Sequence, residues 1–463
     1  MSQYTNKIHE YFEMYLQDLQ ALIAIKSISQ EDTTVQPFGK GVAECFDVFS
    51  KIAIRLGFQI EEDEGYAISA NIQANNDSSY IGILGHLDVV PEGDIKKWLF
   101  SPYTLTIENG IMYGRGVNDD KGPLLAQLYC IKILKDLGYN FLQNVKVIAG
   151  GAEETTWHCM EHYFITHKQP VVGYSPDGNF PIVNGEKGIA TFQIEEVFNS
   201  DGLIHVYSIE SSPSGYSIPD HIELICKCEN TKLLSPDLAK YFIDQEARFV
   251  FTGKSALTRN PQKADNAIFK MVTFVLSNED FFDSALVKCC KEIFSFFRDP
   301  FGKFCKFYHE DSNMGKSTLA VFDFIKDKEV YSYKIDLRFN KGQNVQKIQN
   351  QMELILNKAI RLCRAKRPLF VDKSDPLIKI LSTAYETICL EKAECICKGG
   401  ASYARVLDRG IAFGATFDGY DTRPHKENEN MRISDLIKAM EIYCEAIRLL
   451  ACEPVNFSTL IRK

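Results

Sequence analysis

His86-Leu87-Asp88 stands directly behind the apolar run Ile81-Gly82-Ile83-Leu84-Gly85, and Asp119-Asp120-Lys121-Gly122, Glu153-Glu154, Asp177 and a late His425 follow at wide intervals. These are the residue types that hold two divalent cations side by side: imidazole nitrogens and hard carboxylate oxygens, one carboxylate able to bridge, and one left free to move protons. The set reads as a two-metal hydrolase centre.

Each member also has a plainer explanation. A histidine at a strand end is often a structural hydrogen-bonding residue, and Asp88 reads either as a turn aspartate or as the carboxylate that fixes the ring of His86 by accepting its second N–H. Asp119 and Asp120 precede Lys121-Gly122-Pro123, where the chain turns into a helix; one carboxylate can bridge two ions, and capping of the helix N-terminus is the preferred role for Asp120. Glu153 and Glu154 follow an apolar strand rather than a charged run, and successive side chains diverge. Glu154 is therefore assigned to metal and Glu153 to proton transfer. Asp177 lies in Tyr174-Ser175-Pro176-Asp177-Gly178, a composition in which an aspartate commonly bonds its own backbone. His425 looks locally like an exposed loop histidine, with seven other histidines as alternatives. Arg338, on an alternating strand, is a solvated charge on pattern alone, or else a planar fork for a carboxylate.

Alternating helix and strand patterns in the first part predict an α/β layer with a mostly parallel sheet. Val42, Cys45, Phe46, Phe49, Ile52, Ala53 and Leu56 give one apolar helix face that Gly57 can close. A strand follows at 80 to 85, a helix from Pro123 to Leu137 and a strand from Val145 to Ala149. In such sheets ligands gather beyond the carboxyl ends of the strands. From about residue 188, segments such as Ile189 to Phe198, His221 to Cys228, Arg248 to Thr252 and Val330 to Phe339 predict an α+β insert with antiparallel strands. Asp375-Pro376 opens a helix and another begins near Ser434. The expected organisation is a discontinuous catalytic domain, residues 1–187 and 370–463, interrupted by a second domain over 188–369.

With 463 residues the chain exceeds one ordinary core. A formal net charge of -9 without any basic block argues against nucleic acid or anionic membrane as a partner. No apolar stretch approaches a signal core or a membrane span, so a cytoplasmic location is expected. The 14 cysteines are dispersed without a paired C-x-x-C framework and read as small buried hydrophobes. Gly315-Lys316-Ser317-Thr318 lacks the first glycine of a phosphate-binding loop, and no Gly-x-Ser-x-Gly elbow is present.

Gly85-His86-Leu87-Asp88-Val89-Val90-Pro91, Tyr113-Gly114-Arg115-Gly116, Asp119-Asp120-Lys121-Gly122-Pro123, Glu153-Glu154-Thr155, Pro176-Asp177, Asn184-Gly185-Glu186-Lys187-Gly188, Gly399-Gly400-Ala401-Ser402-Tyr403-Ala404-Arg405 and Ala412-Phe413-Gly414 together resemble the M20 metallopeptidases, most closely the PepV-like bacterial dipeptidases. The resemblance covers nearly the whole chain. It implies two divalent ions, zinc first with manganese or cobalt as alternatives: His86 and Asp177 on one, Glu154 and His425 on the other, Asp119 bridging. It implies Glu153 as general base, Asp88 as the residue orienting His86, and a lid domain whose Arg338, together with Gly400, meets the substrate, a dipeptide or small peptide. A monomer is implied, because a long lid imitates the partner subunit of dimeric relatives. The family's lid segment Gly-x-x-Ala-His reads Gly253-Lys254-Ser255-Ala256-Leu257 here, Ser317-Thr318-Leu319-Ala320-Val321-Phe322 replaces another polar lid stretch, and Ala152 and Thr156 stand where an acidic residue and a glycine are usual. Leucine donates no hydrogen bond, so altered or weakened hydrolysis is expected, with His309 or His221 as candidate substitutes. Two other readings stay open: a degenerate relative that binds metal and peptide without efficient hydrolysis, and a hydrolase of N-acyl amino acids.

Overall fold

Ile81-Gly82-Ile83-Leu84-Gly85 is apolar without alternation because the strand Tyr80–His86 is buried along its entire length. The computed structural model describes residues 2–31, 36–75, 77–212 and 216–455, in two units. The first comprises Met1–Gly185, Phe370–Ile396 and Ala401–Lys463; the second, Glu186–Leu369 and Cys397–Gly400.

In the first unit, Tyr80–His86 pairs in parallel with Asn144–Gly150 on one side and Val172–Ser175 on the other, and Gly410–Ala412 extends the parallel set. The flanks are antiparallel: Ala67–Ile72 against Asn144–Gly150, Gln59–Asp63 against Ala67–Ile72, and Val183 against Ala412. The sheet is thus mixed, with its parallel part at the centre. The register aligns His86 with Gly150 and Ser175 with Ala412, so neighbouring strands end at one edge.

Helices cover this sheet. In Lys40–Arg55, Val42, Cys45, Phe46, Phe49, Ile52 and Ala53 are buried, and Gly57, at φ +89°, closes the helix in a left-handed conformation that a side chain would strain. The helix Lys121–Asp136 starts two residues before the expected Pro123 and is buried without a break from Lys121 to Ile131. Its start abuts the central strand: a Cβ on Gly85 would stand 2.3 Å from Asp120 Oδ2 and 2.8 Å from Leu124 Cδ1. Asp375 caps Pro376–Cys389 by accepting the Leu377 N–H at 2.9 Å, and the helix Ile433–Ile447 follows.

The second unit carries an antiparallel sheet in the order Thr318–Asp327, Val330–Phe339, Gly188–Val197, Arg361–Lys366, and a three-stranded sheet of His205–Ser211, His221–Lys227 and Glu246–Thr252. Phe192, Ile194, Ile222, Leu224, Met271, Val275, Phe324 and Tyr333 contribute to its core. Of the 14 cysteines, Cys363 is exposed, and Cys389, Cys395, Cys397 and Cys452 are half-buried; the other nine are buried as expected. No helix among the described residues is long and apolar enough to cross a membrane.

Candidate metal centre

The aligned strand ends deliver the chemistry-bearing residues to one edge of the first unit. His86 is the last residue of its strand, Glu153 and Glu154 lie just beyond Gly150, and Asp177 lies two residues beyond Ser175. Asp119 arrives from the turn that starts the helix Lys121–Asp136, and His425 from a loop near the end of the chain.

Asp119 is the meeting point. Its Oδ1 is 3.1 Å from His86 Nε2 and its Oδ2 is 3.0 Å from His425 Nε2, which also lies 3.0 Å from Glu154 Oε1. Ligand atoms of His86, Asp119 and Glu154 all lie within 4.8 Å of one another. His86 is 1% exposed and His425 55%, so the cluster has a buried side and an open side.

The electrostatics follow from burying carboxylates beside imidazoles. Burial works against the charged ring of His425, but Glu154 and Asp119 outweigh it and push the pKa up to about 12. His86 is likewise raised well above its ordinary value against burial, through Asp119 and Asp88. Burial raises Glu154, with Asp119 adding to it; Asp119 itself is driven down despite burial because both histidines hold its anion. The carboxylates thus draw positive charge into the cluster, which is what a divalent cation would supply in place of protons. Imidazole nitrogens, hard oxygens and a carboxylate with one oxygen toward each histidine make a donor set that fits such ions.

Among the surrounding residues Asp88 carries contacts beyond His86, and Asp120 and Arg338 differ from expectation. The Nδ1 of His86 is 2.9 Å from the main-chain carbonyl of Asp88, while the carboxylate lies 3.5 Å away. That carboxylate also accepts the backbone N–H groups of Glu153 and Glu154, each at 3.0 Å, and so pins the paired glutamates. Asp120 does not cap its helix: its Oδ2 accepts the His86 N–H at 3.2 Å, and burial pushes its pKa well above the carboxylate range. Arg338 is not solvated. It lies in the second unit, 7% exposed, with Nε donating to Asp336 at 2.7 Å and Nη1 to the Gly399 carbonyl at 2.8 Å.

Asp177 is near enough to Asp120 for its charge to act there. Gly400 belongs to the second unit, as do His221, whose Nε2 is 2.8 Å from Glu223, and His309, whose Nδ1 is 3.4 Å from Asn340 Nδ2. Sequence reasoning missed Glu429. Buried, it takes Arg115 Nη1 at 2.8 Å and the backbone N–H groups of Gly116, Asn118 and Asp119 at 3.0, 3.0 and 3.1 Å, so it shapes the segment that presents Asp119. Tyr403 was also passed over; its buried ring meets that of His86 edge-on at 6.0 Å.

The profile of peptidase family M20/M25/M40 matches residues 82–449. A Staphylococcus aureus (strain USA300) protein named "putative dipeptidase" is 32% identical over 472 residues, covering 96% of this chain and 99% of that one. Human carnosine dipeptidase 1 superposes with a TM-score of 0.60 at 17% identity, over 97% of this chain and 98% of that chain. An M20 family metallo-carboxypeptidase of Sulfolobus solfataricus gives 0.59 at 20% identity, over 94% and 98%. These structures share the fold. With a family profile spanning the strand-end cluster from His86 to His425, the chain belongs to peptidase family M20/M25/M40 and is a metallopeptidase.

Proposed function

We propose that this protein is a cytoplasmic, monomeric dipeptidase that works with two divalent ions, zinc in the first instance. The observation that carries the reading is Asp119 with one carboxylate oxygen toward His86 and the other toward His425, the latter also on Glu154. In it, His86 and Asp177 would hold one ion and Glu154 and His425 the other, with Asp119 available to both. Metal bound there would supply a lowered pKa for a water and polarisation of a carbonyl. Glu153 takes the proton of the attacking water and hands it to the leaving amine, and Asp88 keeps it in place through its backbone N–H. Arg338, fixed by Asp336, and Gly400 are assigned to the substrate's carboxyl end on a lid formed by the second unit.

The test is release of free amino acids from a dipeptide panel by purified protein, with zinc or manganese added and metal content measured alongside. Two equivalents of metal with cleavage support the reading; a fully metallated protein that leaves every dipeptide intact rejects it. A second reading, metal and peptide binding with little hydrolysis, is favoured by Leu257, which is 42% exposed and has no donor to offer. A lost oxyanion donor costs about a hundredfold to a thousandfold in turnover. A large gain on Leu257→His supports the second reading; no gain supports a lid built to act without histidine.

A further inference from the structure

In the second unit the short strand Ala256–Leu257 leads into Thr258 and Arg259. Thr258 is buried, and its hydroxyl accepts from Arg338 Nη2 at 3.3 Å. With Asp336 on Nε and the Gly399 carbonyl on Nη1, Arg338 has spent three of its donors, its charge is offset by Asp336, and two Nη hydrogens remain. Arg259 is its opposite. It reaches solvent, and among the described residues its guanidinium has no carboxylate partner and no hydrogen bond.

Its surroundings are nevertheless built. A Cβ on Gly399 would stand 2.9 Å from Arg259 Cβ, and one on Gly400 would stand 3.1 Å from Nη1. The paired glycines leave the space this arginine occupies. Desolvation, and then the charge of Arg338, draw its pKa below the guanidinium range. Two guanidiniums placed together with one counter-charge are costly unless an anion joins them, and a planar fork is the natural partner of a carboxylate.

We propose that Arg259 is a specificity-determining residue that binds a side-chain carboxylate, so that the preferred substrates are dipeptides whose C-terminal residue is acidic. A residue with two carboxylates matches the pair, the main-chain carboxylate on Arg338's remaining donors and the side-chain carboxylate on Arg259. The proposal rests on the dipeptidase reading for the nature of its ligand.

The experiment compares Ala-Glu with Ala-Gln in wild type, Arg259→Met and Arg259→Lys, by kcat/KM and by the Kd of reduced-amide analogues that cannot be cleaved. Wild type favours glutamate by about tenfold or more in both measures, as a charge-assisted contact should. In Arg259→Met the ratio falls to near one, and Arg259→Lys keeps part of it. No discrimination in wild type, or the same ratio in Arg259→Met, overturns the assignment. If fully metallated protein cleaves neither of these nor any other dipeptide of the panel the dipeptidase reading fails, while the Kd ratio of the analogues still decides the role of Arg259.

Discussion

Asp88 and Glu153 divide labour that spacing alone would assign differently. Asp88 has both carboxylate oxygens on backbone N–H groups, one on Glu153 and one on Glu154, so it is a positioning residue for the pair. Replacing Glu153 by glutamine keeps that scaffold and removes only the carboxylate proposed to carry the proton. Turnover should then fall by about a hundredfold to ten-thousandfold while metal content and melting temperature stay near wild type. Asp88→Ala should do the reverse in part. It leaves two N–H groups without acceptors, costing about 1–3 kcal/mol each where they are buried. The variant should melt earlier as well as turn over slowly, and an Asp88→Ala protein as stable as wild type would count against this role.

At the scale of elements, Glu429 ties the segment 115–119 to the loop that carries His425. Removing it in Glu429→Ala strands a buried Arg115, which is 1% exposed, and should cost about 3–5 kcal/mol in urea unfolding. Glu92 anchors the other side through Lys26 at 2.5 Å and Tyr103 at 2.8 Å. Chiefly through Lys26, its pKa is lowered from 4.5 to about 2. A depressed acid contributes stability that is complete above its unfolded pKa and lost as pH falls through the folded one. Stability should therefore drop between about pH 4.5 and 2 by more in wild type than in Glu92→Gln; parallel curves would refute the link.

Much of this element plan was legible. The unbroken apolar run marks a strand covered on both faces, and the paired glutamates behind Ala149 and Gly150 betray a strand end. Glu429 was not legible, because its neighbours are polar and Arg115 lies 314 positions away in the chain. Arg338 was misread for a related reason: alternation suggests one wet face, yet Leu337, Arg338 and Phe339 are all buried, with Asp336 compensating the charge. Asp120 looked like a cap because its position is the cap position; only the packing against Gly85 turns its carboxyl toward the strand.

For the whole molecule, the proposed ligand set makes metal binding a stabilising linkage confined to the first unit, where each of those residues lies. At metal concentrations about a hundredfold above Kd the gain is about 2.7 kcal/mol. Chelation should lower the melting temperature, and added zinc should slow amide exchange at the strand ends around His86 and Gly150. Exchange in the core of the second unit around Phe192 and Tyr333 should stay as it was. Equal protection in both units would show that the ions sit elsewhere or couple the entire chain.

Glu429 lies 314 positions after its partner Arg115, and His425 likewise follows its partner Asp119 at long range, so both are made well after the residues they complete. During synthesis, then, a nascent chain that has not yet reached residue 425 has neither the outer imidazole nor the carboxylate that shapes the loop before the long helix. Until both of those residues have been made, the cluster on Asp119 lacks its outer members.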